Sequence, residues 1–192
     1  ITPNRADACS HYGVARDLYA YLVQNGGKTA LHRPSCEAFK VDSNNLPIEV
    51  VVENQEACPR YAAVSIKGVK VKESPEWLKE KLNVIGLRPI NNIVDITNYI
   101  MMAYGQPLHC FDADMIAGKK IVVKSMPDGT PFMTLDGVEH KRSSSDLAIC
   151  NESEPMCIAG VFGGKGSGTY ETTVTVVLES AYFNHTWIRK SA

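Results

Sequence analysis

Residues 89–111 read PINNIVDITNYIMMAYGQPLHCF, and this stretch decides how the middle of the chain folds. Its apolar residues recur at helical spacing and predict a helix over residues 92–104: Ile93, Ile96, Ile100 and Tyr104. Gly105 ends this helix, and Pro107 prevents it from continuing. His109 follows the turn, so we expect its backbone to be held firmly. An imidazole near its unperturbed pKa in such a place can orient or activate water.

Further helices are predicted on both sides of this stretch. One covers residues 10–24 and stops at the two glycines that follow. Another begins with Ser74 as its hydroxyl cap and Pro75 at its first helical position. Asn184 is expected to cap a final helix that continues beyond Ala192.

Strands dominate the rest of the chain. Runs rich in Val and Ile predict strands at residues 47–53, 61–71, 120–125, 132–134, 138–140, 147–150, 156–161 and 173–180. Asp136-Gly137 indicates a hairpin. A polar connection separates the first helix from the first strand. We therefore expect an N-terminal helix and connecting segment over residues 1–46, and a main α+β domain over residues 47–192, with mixed or antiparallel sheets and flanking helices.

Composition limits the possible functions. With 20 basic and 21 acidic residues the net charge is −1. This charge argues against a broad nucleic-acid-binding face, but not against contact with one end of a nucleic acid. The six cysteines form no CxxC pair, so we expect reduced, mostly buried thiols and no metal site. No apolar run approaches 18 residues and no signal peptide is visible, so we expect no membrane contact.

The glycine-rich stretch IAGVFGG covers residues 158–164. A phosphate-binding loop would need Ser or Thr after Lys165, where the chain has Gly166. The dinucleotide-binding pattern also fails, because no third glycine follows in register. The stretch is either a plain turn or a place where the backbone approaches a ligand closely.

Glu179 lies in LESAYF, residues 178–183, and interrupts a strand of β-branched residues, TTVTVVLES, residues 172–180. A carboxylate there is either solvated on an outward face or specifically paired, because burying an unpaired charge is costly.

These motifs together resemble the β subunit of bacterial phenylalanyl-tRNA synthetase. The resemblance also includes ITPNRAD at residues 1–7 and TLDG at residues 134–137, and the motifs follow in order over nearly the whole chain. It implies the editing-domain fold of the central region of that subunit. In the family, this region hydrolyses tyrosine wrongly attached to the phenylalanine tRNA.

The resemblance implies a role for several residues. Positions matching His109, Thr97 and Asn98 lie in the family's editing pocket. Those matching Ala159, Gly160 and Gly163 form the wall around the bound aromatic amino acid. The glutamate matching Glu179 accepts a hydrogen bond from the phenolic hydroxyl of tyrosine.

The mechanism we expect is attack of water on the aminoacyl ester, with neither metal nor covalent intermediate. His109 and Asn98 would orient the water or the carbonyl, with Thr97 in support. A nucleophilic role for Cys110 is disfavoured, because adjacent residues of an extended segment point to opposite sides.

The resemblance also implies partners. They are tyrosine, the 3′ end of aminoacylated tRNA(Phe), and the synthetase α subunit in a cytoplasmic heterotetramer. No cofactor is expected in this region; the parent enzyme uses ATP and Mg in its α subunit. The chain begins with Ile-Thr-Pro, so we expect a piece of a larger protein. The family's pocket includes residues downstream of the last position, which predicts a C-terminally truncated editing domain.

Two other functions remain open from the sequence. The domain could be a non-catalytic binding or assembly module of the synthetase. It could also belong to a freestanding tRNA-editing or tRNA-modifying protein.

Overall fold

A computed structural model of the chain describes residues 1–2, 4–134, 137–141 and 143–192. Within these ranges it has four α-helices: α1 His11–Gln24, α2 Glu76–Val84, α3 Asn92–Tyr104 and α4 His185–Ser191. The same ranges contain ten strands: β1 Glu49–Val52, β2 Arg60–Lys67, β3 His109–Asp112, β4 Lys120–Ser125, β5 Pro131–Met133, β6 Glu139–Lys141, β7 Leu147–Cys150, β8 Pro155–Ile158, β9 Phe162–Gly163 and β10 Thr175–Tyr182.

The strands form three sheets in the described part of the chain. A five-stranded sheet has the order β1-β4-β7-β8-β9, with β1 and β4 parallel and the other pairs antiparallel. A three-stranded antiparallel sheet has the order β2-β10-β3, and β5 and β6 form a hairpin. The predicted α+β fold with mixed and antiparallel sheets is therefore confirmed.

The main core joins the two larger sheets. Phe111 and Val177 contribute to it from β3 and β10, and both side chains are fully buried. The five-stranded sheet supplies its own buried side chains to the same core: Ile121, Val123, Leu147 and Ile149. Because side chains alternate along a strand, residues two positions away from Phe111 and Val177 share their sheet face. Those residues are His109 and Glu179.

Helix α3 and the turn after it hold β3 in place. The side chain of Asn91 caps α3 by accepting hydrogen bonds from the two amides of residues 93 and 94. Gly105 ends the helix at φ 81°, in the left-handed region that favours glycine. Gln106 Nε2 then donates to the carbonyl of Ala181 at 3.1 Å, which ties the turn to β10. The helix has the bounds that the sequence predicts.

The start of α2 differs from the prediction. Ser74 does not cap the helix; its hydroxyl donates to Asp95 Oδ2 on α3 at 2.5 Å, and Pro75 takes the cap position without a side-chain bond. Asp95 is fully buried and also accepts from the amide of Ile90 at 2.9 Å. A buried carboxylate requires donors, and this requirement outweighs the local preference of a serine for capping.

The predicted strand at residues 156–161 is also interrupted. Gly160 has φ 68°, and the chain turns there from β8 into β9. The hairpin expected at Asp136-Gly137 joins β5 and β6, where Phe132 pairs with His140, but Asp136 itself lies outside the described residues.

Both terminal helices begin as predicted. Ser10 caps α1 by accepting from the amide of Gly13, and Asn184 caps α4 by accepting from the amide of Thr186. The apolar residues of α1 are more than one-third exposed: Val14, Leu18, Tyr21 and Leu22. Residues 25–48 contain no helix or strand. The division of the chain at residues 46 and 47 stays a prediction.

The cysteines agree in part with the expectation from the sequence. All six are free thiols. Cys58, Cys150 and Cys157 are buried, whereas Cys9 and Cys36 are exposed. None of the helices in the described ranges is long and apolar enough to cross a membrane.

Candidate functional site

A cavity of about 520 Å³ opens beside the three-stranded sheet. The turn after α3, the loop between β8 and β9, the end of β10 and the start of α4 enclose it. Its volume lies within the roughly 300–1,000 Å³ typical of small-molecule sites. Apolar groups form much of its wall, including Leu108, Val161, Phe162, Phe183 and Ile188. His109 and Glu179 supply polar groups to it.

His109 is the first residue of β3 and is largely buried. Its ring contacts the ring of Phe111 edge-on, with centroids 4.5 Å apart. Burial lowers the pKa of this imidazole to about 4, so the ring is neutral at physiological pH. The expectation of a pKa near the unperturbed value is therefore wrong, because the sequence does not show how far the ring is buried.

Nε2 of His109 is buried and makes no hydrogen bond to any described group. A buried ring nitrogen without a partner is unusual, since most buried polar atoms are satisfied. A neutral imidazole with this pKa is a weak base, but it can hydrogen-bond to water or to a substrate group. The geometry therefore favours orientation of water over removal of its proton.

Glu179 lies on β10 directly opposite His109 on β3 and Ala63 on β2. It is only 5% exposed, which excludes the alternative of a solvated residue on an outward face. The hydroxyl of Tyr61 donates to Glu179 Oε2 at 2.8 Å. Burial raises the pKa of the Glu179 carboxyl to about 7, and the hydrogen bond from Tyr61 opposes this rise.

The glycine-rich stretch lies at the cavity, and Gly160 and Gly163 both line it. A methyl group on Gly160 would lie 3.1 Å from Ile188 Cδ1 and 3.3 Å from Phe183 Cδ2, so the backbone approaches α4 closely here. Ala159 is 1% exposed and packs in the main core, and it is not part of the cavity wall.

Thr97 and Asn98 lie in the middle of α3 and do not line the cavity. Both are partly buried, and the Thr97 hydroxyl donates to the carbonyl of Val94 within its own helix at 2.7 Å. The structure thus brings His109, Glu179, Gly160 and Gly163 together, but not these two residues. Their assignment to an editing pocket stays a prediction.

Cys110 follows His109 on β3 and pairs with Leu178, so it occupies the opposite face of the sheet. Burial, with a smaller effect from Asp112, raises the pKa of its thiol to about 11. The thiol is therefore uncharged at neutral pH and turned away from the imidazole. Both observations agree with the sequence argument against a Cys–His nucleophile.

The arrangement as a whole suits a flat apolar group that carries a hydroxyl at its end. The apolar walls can cover a ring, and the Glu179 carboxylate can accept a hydrogen bond from a hydroxyl. A ligand without the hydroxyl would leave one oxygen of the buried carboxyl, Oε1, without a donor, which is unfavourable.

Comparison with known proteins identifies the domain. The family model described as the B3/4 domain matches residues 57–192, which include the cavity and both larger sheets except β1. The chain belongs to the B3/4 domain family.

Three relatives of this B3/4 domain share one name. The chain is 69% identical over 192 residues to the phenylalanine–tRNA ligase β subunit of Bacteroides fragilis. It is 53% identical over 193 residues to that of Porphyromonas gingivalis and 44% identical over 192 residues to that of Geobacter metallireducens. Each match covers 100% of the chain but only 23% or 24% of the relative. The resemblance found in the sequence is confirmed.

A solved structure shares the fold of the B3/4 domain. It is an N-terminal fragment of the phenylalanyl-tRNA synthetase β subunit from Pyrococcus horikoshii, with a TM-score of 0.56 and 15% sequence identity. The match covers 96% of this chain and 54% of the other. At this identity the likeness shows the fold alone.

Sequence patterns do not reveal several residues that line or support the B3/4 cavity. Tyr61 reads only as a strand residue, and it does not line the cavity, but its hydroxyl is the hydrogen-bond partner of Glu179. Gln106 was seen only as part of a turn, although it ties that turn to β10. His185 and Ile188 on α4 line the cavity as well. A polar residue in an alternating strand could have drawn attention to Tyr61, but no local pattern pairs it with a position 118 residues away.

Proposed function

We propose that this B3/4 domain is a hydrolytic editing site that removes tyrosine from misacylated tRNA(Phe) as part of a phenylalanine–tRNA ligase. One observation carries the proposal: His109 and Glu179 occupy directly paired positions and line the same largely apolar cavity, and Nε2 of His109 has no hydrogen-bond partner among the described groups. The names of the relatives support the identity of the parent enzyme.

Glu179 would recognise the amino acid. Tyrosine and phenylalanine differ only by the phenolic hydroxyl, and a purely apolar pocket discriminates weakly against an added hydroxyl. A buried acceptor favours tyrosine, because phenylalanine would leave the Oε1 oxygen of Glu179 without a donor. A carboxylate that is 5% exposed and faces an apolar cavity is suited to this task.

His109 would act on the ester. In the reaction, water adds to the ester carbonyl carbon, and the resulting tetrahedral intermediate expels the ribose oxygen of the terminal nucleotide. The proton of the water passes to that oxygen, giving free tyrosine and the uncharged tRNA. The neutral ring accepts a hydrogen bond from the attacking water and so holds it in place.

Thr97 and Asn98 enter this proposal with less structural support. The family resemblance assigns them to the pocket, whereas they lie on α3 away from the cavity wall. Their contribution would require the aminoacylated tRNA end to extend from the cavity towards α3.

The partners belong to the same proposal. The 3′ end of tRNA(Phe) would present the ester, and an α subunit would carry the ATP- and Mg-dependent aminoacylation. The enzyme would act in the cytoplasm. The near-neutral charge of the chain implies that other parts of the enzyme hold most of the tRNA.

The test is deacylation of Tyr-tRNA(Phe) and Phe-tRNA(Phe) by the complete synthetase carrying Glu179→Ala. Loss of one hydrogen bond to a charged acceptor should slow hydrolysis of Tyr-tRNA about ten- to a hundredfold and narrow the preference for tyrosine. Glu171→Ala is the matched control, because Glu171 is an exposed carboxylate outside the cavity.

The outcomes separate the candidate roles. Equal slowing of both substrates would mean that Glu179 supports the pocket and does not read the hydroxyl. If the wild-type synthetase does not deacylate Tyr-tRNA at all, the domain is a binding or assembly module and the proposal is wrong.

A further inference from the structure

Tyr61 and Glu179 form a buried side-chain pair that joins two strands. Tyr61 on β2 pairs with Ala181 on β10, so it lies diagonally across from Glu179 on the same face of the sheet. Its hydroxyl donates to Glu179 Oε2 at 2.8 Å. No described group donates to the other oxygen, Oε1, while Glu179 itself lines the cavity.

Among the described residues, no positive charge stabilises the ionised form of Glu179. The titratable groups that face it are Tyr61 on β2, His109 on β3 and the thiol of Cys58 in the segment before β2. The thiol of Cys157 on β8 approaches the same pair from the side of Tyr61. Burial raises the pKa of the Tyr61 phenol and of the Cys58 thiol and lowers the pKa of the His109 imidazole, so these three groups are neutral at pH 7.

We propose that Tyr61 is a positioning residue for substrate specificity: its hydroxyl occupies Oε2, holds the Glu179 carboxylate in one orientation, and leaves Oε1 to accept the phenolic hydroxyl of a bound tyrosine. This inference rests on the proposed function of the cavity. Glu179 would thus accept hydrogen bonds from two phenols: that of Tyr61, which is a fixed part of the protein, and that of the bound tyrosine.

The pair also has a consequence for pH. Burial favours the protonated carboxyl, and the hydrogen bond from Tyr61 favours the ionised one. Only the ionised form has both oxygens free to accept. Removal of the Tyr61 hydroxyl therefore raises the pKa of Glu179, so the carboxyl stays protonated up to a higher pH. Recognition of tyrosine is then lost over the same extended pH range.

The test uses Tyr61→Phe in the complete synthetase, with hydrolysis of Tyr-tRNA and Phe-tRNA measured between about pH 6 and pH 9. In the wild type, the preference for tyrosine should rise with pH through about 7 as Glu179 ionises. In Tyr61→Phe this rise should move to higher pH, and the preference at pH 7 should fall about tenfold or more. Phe-tRNA hydrolysis should change little.

Tyr170→Phe is the matched control. Tyr170 also donates its hydroxyl, to the carbonyl of Lys165 at 2.6 Å, but it lies outside the cavity. Its loss should leave the pH profile of the preference unchanged. If Tyr61→Phe slows both substrates equally and leaves the pH profile in place, Tyr61 is merely structural and the inference is overturned.

A double-mutant cycle tests whether Tyr61 acts through Glu179. In the Glu179→Gln background, Tyr61→Phe should no longer shift the pH profile. An equal loss of preference in both backgrounds would mean that Tyr61 acts independently, which also overturns the inference.

Binding of free tyrosine and phenylalanine to the 192-residue chain separates this inference from the proposed function. If the synthetase lacks deacylase activity but Tyr61→Phe still weakens tyrosine binding in a pH-dependent way, only the hydrolytic proposal fails. If deacylation occurs and Tyr61→Phe preserves the wild-type preference at every pH, only the inference about Tyr61 fails.

Discussion

At the residue scale, burial shifts the two polar groups of the cavity in opposite directions. It lowers the pKa of His109 from 6.5 to about 4 and raises that of Glu179 from 4.5 to about 7. Both shifts favour the neutral form, as expected of buried groups that have no opposite charge nearby in the described part of the chain. At pH 7 the imidazole of His109 is therefore neutral and the carboxyl of Glu179 is about half ionised, so recognition depends on hydrogen bonds and on pH.

His109→Ala should leave the fold intact, because strand pairing and the Gln106 side chain hold the backbone of β3. The loss of an ordered water should slow Tyr-tRNA deacylation by the complete synthetase about a hundredfold. The wild-type rate should depend little on His109 ionisation above about pH 5, because the pKa of the ring is about 4. His140→Ala, which removes an exposed ring on β6, is the control. Wild-type editing by a folded His109→Ala enzyme would remove this residue from the mechanism.

The same two groups should give opposite dependences of stability on pH. For His109, the unfolded chain binds more protons between about pH 4 and 6.5, so its contribution to the free energy of unfolding rises with pH there. For Glu179, the folded chain binds more protons between about pH 4.5 and 7, so its contribution falls with pH there. Each contribution amounts to about 3 kcal/mol at most.

Urea unfolding of two variants over this pH range separates the contributions. The stability of His109→Ala, relative to the wild type, should fall as pH rises from about 4.5 to 6.5. The stability of Glu179→Gln, relative to the wild type, should rise over the same window. Parallel curves for wild type and both variants would show that neither group is shifted by burial.

At the scale of elements, short irregular connections bring together the strands and the helix that form the cavity. The turn at residues 105–108 brings β3 beside β10, and Gly160 turns the chain from β8 into β9 at the cavity wall. Helix α4 then closes the cavity through Ile188. The functional groups themselves lie on paired strands, which hold them more precisely than loops would.

Gly160→Ala should affect stability and function together. Alanine is strained at φ 68°, and its methyl group would press on Ile188, so we expect a loss of about 1–2 kcal/mol in the free energy of unfolding. The methyl group would also narrow the cavity and weaken tyrosine binding. Urea unfolding and calorimetric titration with tyrosine measure the two effects.

Gly166→Ala is the control for this substitution, because a methyl group there would meet open space and the residue lies outside the cavity. It should change neither the free energy of unfolding nor the affinity for tyrosine appreciably. If Gly160→Ala behaves in the same way as the control, close packing of the backbone against α4 is not what shapes the site.

At the scale of the whole molecule, charge limits how the domain can meet tRNA. With a net charge of −1, the chain has no excess of cations to neutralise many phosphates. The 192-residue chain should therefore bind tRNA weakly, with a slope of log K against log salt of roughly −2 or shallower. Fluorescence titration at several salt concentrations measures this slope. A steep slope, or tight binding at physiological salt, would reveal a basic surface that the net charge conceals.

The sequence by itself determined the family and many of the elements, but its patterns did not predict β3, the strand that carries His109. Caps, stops and apolar spacing gave α1 and α3 nearly to the residue, because such signals act within one or two turns of the chain. The two exact strands, β4 and β7, are short β-branched or apolar runs with clear boundaries. Motif order alone led to the family that the comparisons confirm.

Only the tertiary structure decided which residues share an environment. Ser74 appeared to be a helix cap because the sequence does not show that Asp95 is buried beside it. The lowered pKa of His109, the raised pKa of Glu179 and the hydrogen bond from Tyr61 all depend on contacts between strands that are distant in the chain. Desolvation and long-range pairing are properties of the packed core, and local sequence patterns do not encode them residue by residue.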